Sequence, residues 1–260
     1  MAGALQGKRA VVTAAGGGIG AAIATALAAE GASVAICDID EEGLARVADE
    51  VRARGVTCLA RPCDVGDPAQ VEDFAAAVLA EFGTVDVLVN NAGTSGGGSV
   101  TDVDPATWRA VMAVNLDAAY LFSRAFVPGM RAQGWGRLIQ IASLGGKRPF
   151  PHAASYSVSK TAVIALTRSM AMDYVQDGIT SNAICPSWTR TDMAERFARY
   201  LEEERGLTRD GAYAWMASTL PNGRILEPEE VAAMVVVLAR DDMAAVNGQA
   251  ISVDGGAALS

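Results

Sequence analysis

Tyr156 and Lys160 are four residues apart in a stretch that reads as helix, so their side chains share one face. With five tyrosines and three lysines in 260 positions, chance supplies about 0.06 such pairs. A free tyrosine, with a pKa of about 10, is a poor base at neutral pH. Lowering it by about 3 units takes about 4 kcal/mol of preference for the phenolate. A neighbouring ammonium and a cationic cofactor ring are groups that supply it. Taken singly, Tyr156 reads as a packed aromatic and Lys160 as a solvated charge. Together, and thirteen residues after Ser143, they read as a proton-transfer pair. A second cluster is Thr13-Ala14-Ala15-Gly16-Gly17-Gly18-Ile19-Gly20, between a β-rich run and a helical one. Glycines there let the backbone approach a pyrophosphate seated on the helix N-terminus, although a plain flexible turn has the same composition. Asp38, eighteen residues past Gly20, ends the next β-rich run, where a carboxylate accepts from ribose hydroxyls and repels a 2′-phosphate. No Lys or Arg lies in the glycine turn or directly after Asp38, so NAD(H) is expected over NADP(H). The alternative is that Asp38 merely opens a loop with Asp40.

Something must position these groups. Seven short runs, at 9–14, 33–38, 57–61, 85–90, 137–142, 179–185 and 249–253, are apolar on both parities, as strands covered on both faces are. Helical segments separate them. Asp67-Pro68-Ala69-Gln70 offers an N-cap, a proline at the first helical position and a glutamine reaching back, and Asp104-Pro105 and Glu227-Pro228 repeat the proline device. Strand and helix alternating without a break imply right-handed crossovers: an α/β fold with a doubly wound parallel sheet of about seven strands. Only 187–224, rich in Arg, Glu, Met and aromatics, departs from the pattern. It is expected to be a small helical flap on a single domain spanning 1–260.

Composition narrows the function. At 51% hydrophobic and 20% charged, the chain is not of the disordered class. A net charge of −9 repels phosphate backbones and anionic bilayers, so neither nucleic acid nor membrane is an expected partner. One histidine and four cysteines without a CxxC pair leave no metal set. Cys37, Cys58 and Cys185 are expected to be buried apolar thiols, while Cys63, beside Asp64, either packs or lines a site. The longest apolar stretches are about eight residues, against roughly 20 for a span, and no targeting signal is visible. A cytoplasmic location is expected.

The residues quoted above, with Cys63-Asp64-Val65, Asn90-Asn91-Ala92-Gly93, Val114-Asn115, Ser143, Tyr156-Ser157-Val158-Ser159-Lys160, Cys185-Pro186, Thr191 and Val253-Asp254-Gly255-Gly256, follow one another as in the short-chain dehydrogenase/reductase family. The chain resembles that family over essentially its whole length. Two positions depart: Ala14 stands where the family usually has glycine, and Ser187 follows Pro186 where glycine is usual. The resemblance implies a Rossmann-type fold and a catalytic tetrad of Asn115, Ser143, Tyr156 and Lys160. Tyr156 would be the general acid/base, Lys160 would hold the nicotinamide ribose and depress the Tyr156 pKa, and Ser143 would donate to the substrate oxygen. Asn115 would bend its helix and hold a relay water beside Lys160, or be a buried amide satisfied by backbone.

Cofactor contacts are expected from Gly18, Ile19, Gly20, Asp38, Ile39, Asp64, Val65, Asn91, Ala92, Gly93, Tyr156, Lys160, Thr189 and Thr191. The implied activity is hydride transfer between NAD(H) and a secondary alcohol/ketone pair. The alternative is a 3-oxoacyl-thioester reductase, and a non-catalytic dinucleotide sensor is disfavoured by the complete tetrad. Pocket walls are expected from 94–98, 144–154 and the flap from Trp188. The flap aromatics suit either a bulky apolar substrate or their own packing. Lys147, Arg148, Arg190 and His152 either meet substrate or sit on the surface. Similarity to hydroxybutyrate dehydrogenases is carried by the Thr-Ala-Ala and Cys-Pro-x-Trp-x-Arg-Thr stretches, but Thr94 and Gly145-Gly146 offer no polar grip for a small carboxylate. The family also implies a homotetramer, paired through the long helices.

Overall fold

The structure, a computed structural model, describes residues 3–258; the outermost residues of the expected 1–260 domain lie outside them. The seven apolar runs form strands β1 (Arg9–Thr13), β2 (Ser33–Asp38), β3 (Cys58–Pro62), β4 (Val87–Asn90), β5 (Gly136–Ile141), β6 (Ile179–Pro186) and β7 (Ala250–Val253). Helices alternate with them: α1 (Gly18–Ala29), α2 (Glu41–Arg52), α3 (Pro68–Phe82), α4 (Pro105–Met112), α5 (Ala118–Gln133), α6 (Leu144–Lys147), α7 (Ala154–Tyr174), α8 (Asp192–Arg205), α9 (Arg209–Ser218) and α10 (Pro228–Ala239). All strand pairs are parallel, in the order β3-β2-β1-β4-β5-β6-β7. The chain reverses its direction of winding between β1 and β4, and a crevice opens there beyond the carboxyl ends of the strands.

Strand alternation divides the core. Val12, Val34, Ile36, Val87 and Val89 face Ile23 and Leu27 of α1, Val47 of α2 and Val235 of α10. Val11, Ala35, Leu88 and Leu138 face Phe74 of α3 and Phe122, Phe126 and Met130 of α5. The continuous helical run Pro105–Gln133 is long and apolar enough, at mean hydropathy 1.3, to cross a bilayer by composition alone. Its apolar face is spent on the sheet instead, with Phe122, Phe126, Val127 and Met130 buried.

The caps follow the sequence with one difference. Asp67 accepts from Ala69 N at 2.9 Å, and Asp104 from Ala106 N and Thr107 N at 2.8 and 3.0 Å. Glu230 returns a carboxylate to Glu227 N at 2.9 Å. Gln70 reaches back to its cap as expected, donating to the Asp67 carboxylate at 3.0 Å, but its oxygen accepts from Asp64 N at 2.9 Å rather than from the cap's own N–H. It thereby braces the 64–67 loop.

The flap is a two-helix insertion, α8 and α9, with its own small core of Ala194, Ala198, Leu201, Ala212, Met216 and Ile225. Its two feet are laced by Arg190 N to Leu226 O at 2.9 Å and Leu226 N to Trp188 O at 2.8 Å. Trp188 stacks on Phe197 at 4.7 Å, and Phe197 leans on Trp215 at 6.2 Å. Of the two uses open to these aromatics, internal packing is the one adopted. Cys37, Cys63 and Cys185 are buried, but Cys58, on edge strand β3, is only half-buried because one flank of the sheet ends there.

Candidate active site

The glycine turn leaves β1 through Ala14, whose φ of +52° lies in the left-handed region that favours glycine. Asn91 holds it there, donating to Thr13 O at 3.0 Å and Ala14 O at 2.9 Å. Thr13 Oγ1 in turn accepts from Asn91 N and Ala92 N, both at 3.0 Å. Asn91 and Ala92 therefore shape the cradle from beneath, their polar groups committed to β1. A side chain in that conformation costs on the order of 1 kcal/mol. Ala14→Gly should accordingly raise stability by about 0.5–1 kcal/mol, seen as a higher urea midpoint at unchanged slope. A midpoint at or below wild type would show that the strain is absent.

Gly20 supplies the close approach: a Cβ there would lie 2.2 Å from Ala14 O and 2.6 Å from Asn91 Nδ2. Around Gly17 nothing lies within 4 Å of the corresponding point, so the outer face of the turn is open. Asp38 Oδ2 accepts from Gly16 N at 2.8 Å and Oδ1 from Asp40 N at 3.0 Å. The carboxylate is anchored at the turn, with Ile39 beside it 73% exposed, an apolar surface at the mouth of the crevice. No cation neighbours this turn along the chain, but α2 delivers one. Arg46, thirty residues away, donates to Gly16 O at 3.0 Å while pairing with Glu50 at 2.9 Å. Opposite, Asp64 accepts from Gly66 N at 2.8 Å, and Val65 is buried beneath it. Thr191, which heads α8, brings its methyl to 3.1 Å from where a Gly18 Cβ would be. The flap foot thus closes on the glycine turn. Ile19 packs toward the core next to it.

The second cluster forms at the ends of β5 and β6. Ser143 accepts from Gly145 N at 3.0 Å, so its own proton remains free for another acceptor. Its hydroxyl is near enough to the Tyr156 phenol to favour the phenolate, but burial is the larger influence and pushes the Tyr156 pKa up. The expected depression by Lys160 is not present here, because the Lys160 ammonium turns to Ile141 O at 2.8 Å. Burial brings the Lys160 pKa down to about 8. Gly93 backs onto this lysine, with its Cβ position 3.2 Å from Nζ.

Asn115 lies in a π-helical turn, Ala113–Asp117, between α4 and α5. This is the bend expected of it. Its amide accepts from Thr94 N at 2.7 Å and donates to Thr94 O and Ser159 Oγ, both at 2.9 Å. Ser159 then donates to Tyr156 O at 2.8 Å. The side chain is thus satisfied by backbone and by Ser159. Fully buried Ser159, which the sequence reading did not single out, ties the bend to the helix that carries Tyr156 and Lys160. Its position in Tyr156-Ser157-Val158-Ser159-Lys160 was the available signal.

Of the candidate substrate cations, Lys147 is withdrawn, donating to Ser252 Oγ at 2.9 Å and Ala250 O at 3.3 Å. Arg190 pairs with Glu227 at 3.1 Å, and Arg148 leans toward Ala257 O at 3.5 Å. His152, at φ +55°, is exposed on the rim. Thr189 is buried and donates to Ser187 O at 3.0 Å. The Ser187 hydroxyl is buried without a partner. Among the described residues no group of acidic, His or Cys side chains is arranged to hold a metal ion. An open-faced glycine turn, a carboxylate fixed at its edge and an orphan hydroxyl at the far end together suit an extended dinucleotide.

Comparison with known proteins agrees with this geometry. Residues 13–258 match the family model described as Enoyl-(Acyl carrier protein) reductase. A Streptomyces violaceoruber protein assigned as granaticin polyketide synthase ketoacyl reductase 1 is 43% identical over 249 residues, covering 95% of this chain and 92% of that one. D-beta-hydroxybutyrate dehydrogenase of Cupriavidus necator is 31% identical over 253 residues, covering 97% and 98%. A crystal structure of an actinorhodin polyketide ketoreductase variant with NADPH superposes with a TM-score of 0.94 at 38% identity, over 100% of both chains.

Proposed function

As this chain belongs to the short-chain dehydrogenase/reductase family and is an oxidoreductase of that type, which binds a nicotinamide cofactor, we propose that it interconverts a ketone and a secondary alcohol using NAD(H). The observation that carries the reading is the hydroxyl pair at the head of the crevice. Ser143, whose oxygen accepts from Gly145 N at 3.0 Å, sits beside the Tyr156 phenol. Both can then turn protons toward one carbonyl oxygen.

When bound, the nicotinamide supplies or accepts the hydride. Tyr156 gives its phenolic proton to the substrate oxygen in reduction and takes it back in oxidation, and Ser143 holds the oxygen as charge develops on it. Lys160, with a lesser contribution from Tyr156, would hold the nicotinamide ribose. Asn115, through Ser159, fixes the helix that presents both. Gly18, Ile19 and Gly20 take the pyrophosphate; Asp38 and Ile39 take the adenosine ribose, and Asp64 and Val65 the adenine. Asn91, Ala92 and Gly93 form the floor, and Thr189 and Thr191 close from the flap. The test is consumption of NADH on adding a panel of ketones, with NAD reduction on adding the alcohols. No turnover in either direction would overturn the proposal.

For the cofactor, the support is Asp38 standing where a 2′-phosphate would enter, with Asp40, Glu41 and Glu42 following it. Asp38→Ala combined with Ile39→Arg should shift preference toward NADPH by about a hundredfold, followed by nicotinamide fluorescence. An unchanged NADH:NADPH ratio would remove Asp38 from the ribose. A second reading, a 3-oxoacyl-thioester reductase using NADPH, is favoured by Arg46 at Gly16 and by the 43% relative assigned as a ketoacyl reductase. Tighter NADPH than NADH binding in the wild type would decide for it. A homotetramer remains part of the proposal, supported by Tyr120 and Val158 lying exposed on the two long helical segments.

A further inference from the structure

The expected pocket wall at 144–154 contains one large apolar side chain that the core does not take up. Phe150 is 39% exposed, and the two cations that precede it on that wall are engaged elsewhere. Lys147 is tied to β7 and Arg148 leans on the C-terminal loop. Its place beside the chemistry follows from Gly145, where a Cβ would lie 3.2 Å from Phe150 Cε2 and 3.3 Å from Tyr156 Cε1. The two rings therefore flank one glycine, and the missing side chain lets the Phe150 ring stand next to the ring of Tyr156.

The loop carrying Phe150 is fixed at both ends. Gly98 N donates to His152 O at 2.9 Å and Ala154 N to Gly98 O at 3.3 Å, lacing it to the 94–98 wall; Arg148 N donates to Leu144 O at 2.8 Å. Across from it, Gly97 has nothing within 4 Å of its Cβ position, which leaves room on that side.

We propose that Phe150 is a specificity-determining residue whose ring packs on a flat apolar flank of the substrate carbonyl, selecting aryl ketones over short aliphatic ones. The inference rests on the ketone-reductase reading and extends it to a substrate class. An aryl group stacked on, or edge-on to, an exposed ring gains contact that an ethyl group cannot make. With Lys147 drawn to β7, Arg148 toward the C-terminal loop and His152 out on the rim, the surface beside the ring does not penalise that group for lacking polar atoms.

The test compares acetophenone with 2-butanone, using wild type, Phe150→Ala and Phe150→Leu, with 1-phenylethanol binding to the NADH-loaded protein measured by calorimetry. Phe150→Ala should lower kcat/KM for acetophenone by about thirtyfold and weaken 1-phenylethanol binding by about tenfold, leaving 2-butanone within threefold. Phe150→Leu, which keeps apolar bulk at the same site, should fall between. Equal losses on both ketones, or no loss on either, would overturn the proposal. If wild type reduces neither ketone, the ketone-reductase reading fails for this pair. Unchanged 1-phenylethanol affinity between wild type and Phe150→Ala would then overturn the aromatic slot separately.

Discussion

Tyr156→Phe will lower the rate of ketone reduction about a thousandfold and leave NADH affinity within threefold of wild type. Only one oxygen is removed, and the ring that packs beside Gly145 stays. The proton donor disappears, while Ser143 keeps its bond from Gly145 N and can still polarise the carbonyl. On the proposed reading binding and chemistry are separable, because the glycine turn and Asp38 would hold the far half of the dinucleotide. Single-turnover rates and nicotinamide fluorescence, measured on one preparation, give the two readings. A variant with more than a tenth of wild-type turnover would assign the proton to another group. An equal fall in affinity would make Tyr156 chiefly a binding residue. The direction of its pKa bears on the same experiment. Burial raises it in this structure, so the neutral phenol is the form held at neutral pH, which is the form reduction needs. Alcohol oxidation needs the phenolate and should lose rate toward acid pH sooner than reduction does.

Gly20→Ala has the largest expected structural effect. Its Cβ would enter within 2.2 Å of Ala14 O and 2.6 Å of Asn91 Nδ2, and the nearest atom is a backbone oxygen that no side-chain rotation can move aside. Relief requires the turn to move off α1. That breaks the bonds of 3.0 and 2.9 Å by which Asn91 grips Thr13 and Ala14. We expect a loss of about 3 kcal/mol, a melting temperature lower by roughly 6–10 °C for a chain this long, and NADH affinity reduced about a hundredfold. Gly17→Ala is the matched control. Gly17 is extended, at φ −164°, and its Cβ would meet nothing, so its stability should stay within about 0.5 kcal/mol of wild type. Melting of Gly20→Ala within 2 °C of wild type would contradict the packing described.

The sheet was legible in the sequence because its strands are covered on both faces. Runs such as Val34-Ala35-Ile36 have no polar side to obscure them, and all seven strands lie within two residues of their expected bounds. The glycine turn and Tyr156/Lys160 were legible for a different reason: each is a local spacing, within reach of a single turn of chain. What was missed acts across distance. Arg46 reaches Gly16 from thirty residues away because the N-terminal end of α2 packs against the turn. Lys147, four residues after Ser143, looked available, but strand β7 captures it from more than a hundred residues along. The Asn115–Ser159 link depends on a π turn, whose extra residue rotates the helix face and leaves no period in the sequence. The burial that raises the Tyr156 pKa in this structure was equally invisible, since spacing alone says nothing of burial.

The laced feet of the α8–α9 insertion bear on how such a protein diversifies. Both ends of the segment leave the main body at one narrow ladder, Trp188 and Arg190 against Leu226, and the helices bury their apolar residues largely among themselves. A segment whose helices pack largely on their own contents can lengthen, shorten or be exchanged between paralogues with little disturbance to the strand ends that carry Ser143 and Asp38, provided that Thr191 stays on the glycine turn. Recombination breakpoints placed just after Thr191 and at 226 should therefore yield chimaeras that fold and retain the glycine turn and its neighbours while inheriting a new roof. Selection can then act on the roof alone.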